Sequence, residues 1–331
     1  MFDKIVNKEE WDEVISWFDN HDMYHTYDYH KAHETIDGGE AVLYVFKSDG
    51  YSFALPLLKR DVFGTGFFDL TSVYGYPSPL EKINNEVCCA SIVKKFWRYL
   101  LEEENCISLF SRMNTFFEKK GGFFEFGEKV GETVNISLLE SETVQLSKYR
   151  KNHRRDIKKL KKLGFTCDFY NLNDGFSGFF RVYNETMSSL NASSYYFFDE
   201  AYYDALFKND CSEVKLVLCK QDGVLACAGI FSFTGNIVQY HLGGTSQEFY
   251  KYAPTKLMFD FVRAFSFEHG FEHFHLGGGL GGNSDNLLNF KIGFSDRTLP
   301  FKVMRIVLNE EVYASLSEGK DNTDFFPLYR C

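Results

Sequence analysis

Residues 213–223 read EVKLVLCKQDG, and residues 40–50 read EAVLYVFKSDG. Glu213, Lys220, Asp222 and Gly223 match Glu40, Lys47, Asp49 and Gly50 at a constant offset of 173. Each stretch is an apolar strand pattern ending in Asp-Gly, and a second apolar run follows each: YSFALPLL (51–58) and VLACAGIFSF (224–233). Two apolar runs joined by Asp-Gly signal a β-hairpin, because both residues tolerate the backbone angles of a tight turn.

The order of elements repeats further along the chain. A third strand pattern follows each hairpin, DLTSVYGY (69–76) and NIVQYHLGG (236–244). A polar, proline-containing loop then leads into an amphipathic helix. Its apolar stripe is Ile92, Val93, Phe96, Trp97 and Leu100 in the first half, and Leu257, Met258, Phe261, Val262 and Phe265 in the second. That spacing covers one helical face. A short strand closes each half, CISLF (106–110) and FEHFHL (271–276). The repeat predicts an α/β (α+β) protein of two tandem units, each a mixed sheet flanked by helices, divided at 145/146 into residues 1–145 and 146–331.

Composition bounds the function. The 331 residues are 44% hydrophobic and 25% charged, which excludes a disordered chain, and the formal charge of -10 excludes a generally basic nucleic-acid coat. The aromatic load of 36 Phe, 20 Tyr and 3 Trp suits strands and a large core. No window approaches the ~20 apolar residues of a spanning helix. MFDKIVNKEEWDEV, at the start, has charges where a secretory signal needs an apolar run. Cys88, Cys89, Cys106, Cys167, Cys211, Cys219, Cys227 and Cys331 form no C-x-x-C pair, which suits a reducing compartment. A cytoplasmic protein without a transmembrane segment is expected.

Between the halves lies LSKYRKNHRRDIKKLKKLGF (146–165). From Lys148 to Lys162 it holds nine basic residues against the single acid Asp156, a net of +8 in a chain of net charge -10. Tyr149, His153, Ile157 and Leu160 share one helical face, Ser147 is the expected N-cap and Gly164 the expected end, giving a basic helix over 148–163. Like charges at i,i+4, such as Arg154 with Lys158, repel by a few tenths of a kcal/mol each. Their density predicts a polyanion partner: the phosphates of a nucleotide, of tRNA or of a lipid-linked sugar.

HLGGGLGG (275–282) satisfies G-x-G-x-x-G through Gly277, Gly279 and Gly282. It lies beyond the last helix–strand pair and not at the opening of a βαβ unit, so a dinucleotide fold is not expected, and no Walker lysine follows. The loop, with Gly278 and Gly279, can bring backbone N–H groups close to a ligand. Asn283, Ser284, Asp285 and Asn286 supply polar groups and a cap for the next helix. Lys291 stands between Phe290 and Ile292, a cation among apolar residues that calls for a compensating anion. His269 and His273 lack the glutamate of a zincin helix, and His21, His25, His30 and His33 have no cysteine ligands nearby, so no metal site is expected. No G-x-S-x-G elbow is present.

With these residues assembled, the chain resembles the Fem family of peptidoglycan bridge-forming aminoacyltransferases, which carry two GNAT-like (acetyltransferase-type) domains. The resemblance rests on the basic segment, on YHLGGTSQEFYKYAPTKLM (240–258), on HFHLGGGLGGNSDNLLNFKIGF (273–294), and on FRVYNETMSSLNASSYYFFDEAYYDAL (180–206). TYDYHKAHE (26–34) is similar to the family's N-terminal helix. The likeness covers most of the chain and is strongest from Leu146 to Phe294.

The resemblance implies N-acyl transfer from an activated donor, an aminoacyl-tRNA ester or an acyl-CoA thioester, with no tightly bound cofactor. It implies a catalytic Phe290-Lys291 pair, the lysine stabilising negative charge. Tyr240, His241, Gly243, Gly244, Pro254, Thr255 and Lys256 would hold the donor. Arg154, Arg155, Lys158, Arg181, Tyr183, Tyr196, Gly278, Gly279, Asn283 and Asp285 would serve the acceptor and its phosphates. Asp285, Glu248 and a substrate-held water are open as the general base. The acceptor would be an amine of a nucleotide- or lipid-linked sugar or peptide precursor of the cell envelope, with peripheral membrane contact open. Two departures stand out: the acetyltransferase pyrophosphate loop Q/R-x-x-G-x-G/A is replaced by GGTSQEFYKYAPTKL, and no coiled-coil arm is present. The competing reading is a non-catalytic protein of this fold that binds tRNA or anionic lipid.

Overall fold

The computed structural model describes residues 1–84, 89–321 and 323–331; Cys88 lies outside the described residues. In chain order the strands are β1 (Phe2–Ile5), β2 (Glu40–Lys47), β3 (Tyr51–Asp61), β4 (Phe68–Thr71), β5 (Leu80–Ile83), β6 (Cys106–Met113), β7 (Glu128–Ser137), β8 (Phe165–Tyr170), β9 (Glu213–Gln221), β10 (Val224–Thr234), β11 (Ile237–Thr245), β12 (His273–Gly278) and β13 (Thr298–Val307). The helices are α1 (Lys8–Ile15), α2 (Tyr27–Asp37), α3 (Cys89–Glu102), α4 (Glu142–Lys148), α5 (Lys151–Lys162), α6 (Leu172–Ser189), α7 (Glu200–Phe207), α8 (Thr255–Glu268), α9 (Asn286–Lys291) and α10 (Glu310–Leu316).

Two compact units result: residues 1–130 with 301–331, and residues 131–300. In the first, the sheet runs β1-β2-β3-β4-β6-β13, with β5 pairing β3. In the second it runs β8-β9-β10-β11-β12-β7. The repeat is therefore structural: β2 and β3 correspond to β9 and β10, β4 to β11, α3 to α8, and β6 to β12. A single cut at 145/146 does not describe these units, because the closing strands are exchanged. Residues 133–137 of β7 pair with β12 in the second unit, whereas residues 302–307 of β13 pair with β6 in the first. Strand periodicity shows that a segment is extended but not which edge it will join.

The two Asp-Gly hairpins close differently. Asp222 and Gly223 both have positive φ, 49° and 82°, as a two-residue primed turn requires. The Asp49-Gly50 hairpin instead is braced by Ser48, whose hydroxyl donates to the carbonyl of Tyr51 at 2.8 Å.

In the second unit α8 packs its Leu257, Met258, Phe259 and Val262 into the core with Phe231, Phe274 and Phe294. Burying each such side chain is worth about 1.5–3 kcal/mol. The basic segment packs its expected face, with Tyr149, His153, Ile157 and Leu160 all buried. It is two helices and not one. Tyr149 and Arg150 are extended, with ψ of 137° and 145°, so α4 ends at Lys148 and α5 begins at Lys151. Ser147 is consequently not the N-cap; it lies inside α4 and donates its hydroxyl to the carbonyl of Val144 at 2.7 Å. The break lets Tyr149 seat edge-on against Phe294 while the Arg150 N–H reaches the carbonyl of Gly293. Gly164, at φ 78°, ends α5 as expected.

Candidate functional site

The site grows from a fault between two parallel strands. β11 and β12 pair at only three positions, Ile237–His273, Val238–Phe274 and Gln239–His275, although β11 runs on to Thr245 and β12 to Gly278. Both strands bulge where pairing stops. Against β10, Ile230 faces Leu242 and Phe231 faces Tyr240, so His241 is the extra residue. Against β7, His275 faces Asn135 and Gly277 faces Val134, so Leu276 is extra. A bulge bends its strand and re-aims side chains; two at one level leave a wedge whose walls are the last residues of β11 and β12.

The corresponding strands of the first unit stay joined. β4 and β6 pair from Phe68–Cys106 to Thr71–Phe110, and the Ser72 N–H continues to the carbonyl of Phe110. The Arg112 guanidinium donates to the carbonyls of Ser72 and Val73, at 3.4 and 3.2 Å, sealing that unit's equivalent end.

Glycines shape the wedge. A Cβ on Gly243 would lie 2.4 Å from the Tyr240 hydroxyl, so this residue is what allows the Tyr240 ring to fold along its own strand. A Cβ on Gly244 would strike the Val182 carbonyl at 2.5 Å, so the end of β11 can lie directly on α6. Thr186 of α6 fixes it there: its hydroxyl donates to the Thr245 carbonyl at 3.2 Å and accepts from the Thr245 N–H at 2.9 Å. His241 shares a proton with the Tyr202 hydroxyl at 2.7 Å, tying the bulge to α7.

On the β12 side the glycine loop folds back under α9. Asp285 caps α9, one carboxylate oxygen accepting from the Leu288 N–H and the other from the Leu280 N–H, each at 2.8 Å. A Cβ on Gly279 would meet the Asn283 carbonyl at 2.2 Å and Asp285 Oδ1 at 2.6 Å, so the loop's tightness depends on that glycine. Asp285 titrates below the ordinary aspartate value: burial opposes this, but the N–H groups of Leu288, Leu280 and Leu287 outweigh it. A carboxylate so engaged is a cap and a poor general base. Asn283 and Glu248 are exposed at the surface.

Lys291, the last residue of α9, is only 6% exposed. Its Nζ donates to the carbonyl of Gly278 at 2.7 Å and lies 5.8 Å from the centroid of the Tyr240 ring. Burial pulls its pKa down to about 7, and the nearby charge of Asp285 resists only in part. Phe290 packs beside it against Phe259 and Phe294. Buried His275 donates its Nδ1–H to Gln239 Oε1 at 2.7 Å; burial, then the charge of Lys291, lowers its pKa to about 3, so its ring is neutral. The structure therefore brings Lys291, Phe290, Tyr240, Gly278, Gly279 and Asp285 together around the wedge.

The other expected residues lie on α5, α6, α8 and the turn after α6. Lys256, 7% exposed, is not free to meet a donor, because its Nζ is bound to Asp156 Oδ2 at 2.7 Å, joining α8 to α5. That bond also explains the one acid in the basic segment. Pro254 and Thr255 do open α8, and the Thr255 hydroxyl bonds that of Thr245 at 3.0 Å. Tyr183 is 1% exposed and its hydroxyl donates to the Tyr196 carbonyl at 2.8 Å, so it supports the 194–196 turn. Arg181 is exposed and lies 3.7 Å from Glu185. Arg154, Arg155 and Lys158, with Lys151, form an exposed cationic patch on the outer face of α5. Among the described residues no group of three or more His, Cys, Asp or Glu is arranged to hold a metal ion, and no helix is long and apolar enough to cross a membrane.

Sequence reasoning missed the links from Gln239 to His275 and from Tyr202 to His241. Nothing local announces such pairs, since their partners lie 36 and 39 residues apart.

No curated protein matches the chain by sequence. Among solved structures, FemX is 14% identical, with 95% of this chain and 99% of FemX covered and a TM-score of 0.71. The C-terminal domain of a protein from Agrobacterium fabrum, assigned as a lysylphosphatidylglycerol synthetase, is 13% identical, with 93% of each chain covered and a TM-score of 0.58. L-PGS from Bacillus licheniformis is 12% identical, with 94% and 95% covered and a TM-score of 0.55. At such identities the likeness is one of fold. Residues 147–286 match the family model described as the acetyltransferase (GNAT) domain, so the chain carries a GNAT-type acyltransferase domain on a fold it shares with FemX.

Proposed function

We propose that this protein is a cytoplasmic N-acyltransferase that moves an aminoacyl group from aminoacyl-tRNA to an amine of a cell-envelope precursor. The observation that carries the proposal is Lys291, a buried cation at the mouth of the β11–β12 wedge. In the reaction the acceptor nitrogen attacks the donor carbonyl, a C–N bond forms, and the carbonyl oxygen takes up negative charge. The ester C–O bond then breaks and the leaving oxygen takes a proton. An ammonium held in a low-dielectric cleft stabilises the oxyanion far better than one in water. A pKa near 7 also lets Lys291 carry a proton at working pH.

The ester donor is favoured over the thioester by the β11–α8 connection. A CoA pyrophosphate is gripped by open backbone amides, but in this connection three of them are already engaged. The Phe249 N–H bonds the Ser246 carbonyl and the Ala253 N–H bonds the Tyr250 carbonyl. The Gln247 N–H bonds the Glu185 carboxylate at 3.0 Å, which puts a negative charge beside this connection. The cationic face of α5 supplies what that loop lacks, a binding surface for the phosphates of tRNA or of the acceptor. FemX and the lysylphosphatidylglycerol synthetases, which share the fold, support an envelope acceptor.

Thermal unfolding with each donor tests the reading. A ligand at a hundred times its Kd adds about 2.7 kcal/mol of stability. Aminoacyl-tRNA should raise the Tm and acetyl-CoA should not; a shift with acetyl-CoA alone would make the donor a thioester.

A further inference from the structure

The helix that carries Lys291 is held from behind by the start of the basic helix. α9 has only six residues, so its last carbonyls and those of the turn after it take donors from outside. Arg150 and His153 provide them. The Arg150 N–H donates to the Gly293 carbonyl at 2.9 Å, and Arg150 Nη1 donates to the Asn289 carbonyl at 3.0 Å. His153 Nε2 meets the Phe290 carbonyl at 3.0 Å. The His153 ring also packs edge-on against Phe294, with centroids 4.6 Å apart.

This seat exists only because residue 293 is glycine. A Cβ there would stand 2.2 Å from His153 Nε2 and 2.4 Å from its Cε1. Gly293 has no positive φ, so space and not backbone angle demands it. Burial lowers the His153 pKa to about 4, with Lys256 and Arg150 pushing the same way and the Phe290 carbonyl and Asp156 opposing. The ring is neutral near pH 7 and can place its one proton on Nε2, toward that carbonyl. Opposite faces of α5 thus hold the cationic patch and the support of Lys291.

We propose that His153, seated on Gly293, is a positioning residue for Lys291: by holding the Phe290 carbonyl it keeps the lysine Nζ inside the wedge against the Gly278 carbonyl. The effect on turnover rests on the acyl-transfer reading, but the placement of Lys291 can be measured without any substrate. The groups facing Lys291 are Asp285 from the α9 cap, His275 from β12 and Tyr240 from β11, and none of them touches His153.

The test is trace acetylation of the full chain with acetic anhydride from pH 5 to 11, read at Lys291 by peptide mass spectrometry. In the wild type the labelling midpoint should lie near pH 7. In His153→Ala and in Gly293→Ala it should rise by about one unit or more, a tenfold smaller neutral fraction at a given pH below the midpoint. The Gly293→Ala/His153→Ala double variant should match His153→Ala, since removing the ring removes the clash. His153→Gln, which keeps an N–H donor, should restore much of the wild-type midpoint and also serves if the alanine variant does not fold. Under the acyl-transfer reading kcat falls in step with the midpoint while KM for the donor holds. A shifted midpoint without any turnover sinks the acyl-transfer reading and leaves the positioning role standing. An unmoved midpoint in folded Gly293→Ala or His153→Ala overturns the positioning role, as does a double variant worse than both singles.

Discussion

Lys291 and Gly278 meet at the end of β12, where the lysine Nζ donates to the glycine carbonyl at 2.7 Å. Among the described residues that carbonyl is the one hydrogen-bond acceptor of Nζ. An ammonium has three N–H donors, so two remain to meet an oxyanion forming on a bound carbonyl. The same under-compensation lowers the pKa and makes the residue costly to the fold, as sites built for chemistry often are.

Replacing Lys291 by methionine should separate stability from activity. The side chain keeps its volume and loses its buried charge, so the variant should melt at or above the wild-type temperature. Turnover should fall about 10²–10³-fold, the range for losing one oxyanion stabiliser. Calorimetry and a single-turnover transfer assay would read the two effects.

The pH dependence of stability carries its own sign. The folded pKa of Lys291 lies near 7, below the ordinary lysine value of 10.5. Between these values the unfolded chain binds more protons, so unfolding free energy should rise with pH, by at most about 1.4 kcal/mol per unit from this group. Denaturant titrations from pH 7 to 9 should show the rise in the wild type. In Lys291→Met that contribution should vanish.

The cationic patch on α5 should act on binding and not on folding. Arg154→Ala and Lys158→Ala remove exposed charges, and their effect on stability should stay within about 0.5 kcal/mol. Affinity for aminoacyl-tRNA should drop, and the slope of log K against log salt should become shallower by about one for each phosphate no longer neutralised. Unchanged salt dependence would remove phosphate binding from this face.

Lys256 should behave as structure. Lys256→Ala leaves Asp156 with only the exposed Arg155 as partner and should destabilise the fold by about 1–3 kcal/mol. Asp156→Ala should not add to it, because the two share one bond. Asp156 itself titrates below the usual aspartate value: burial opposes the shift, but its bonds to Lys256 and Arg155 prevail. The stability it contributes is therefore present above the ordinary aspartate pKa and is lost as pH falls through the lowered one. A coupling measured by urea melts of the two singles and the double variant decides the point.

What the sequence reveals here follows the range over which each signal acts. Strands, hairpins and the helices α3 and α8 are written in local periodicity, and the offset of 173 makes their repetition plain. Lys291 is visible because a cation between Phe290 and Ile292 conflicts with its neighbours. The wedge is not visible, since it depends on bulges at His241 and Leu276 that appear only in strand register. The exchange of β7 and β13 is hidden for the same reason. Lys256 resembles a donor-site cation in sequence; only the fold shows that Asp156, 100 residues away, has taken it.

The most direct test is label transfer from a radiolabelled aminoacyl-tRNA pool to nucleotide- and lipid-linked envelope precursors, comparing wild type with Lys291→Met at matched binding. Wild type should transfer label to an amine, and the variant should do so at least a hundredfold more slowly with tRNA affinity retained. Equal transfer by both proteins would contradict the role given to Lys291. Binding of tRNA without transfer to any amine would make this a binding protein that keeps the fold and not the chemistry.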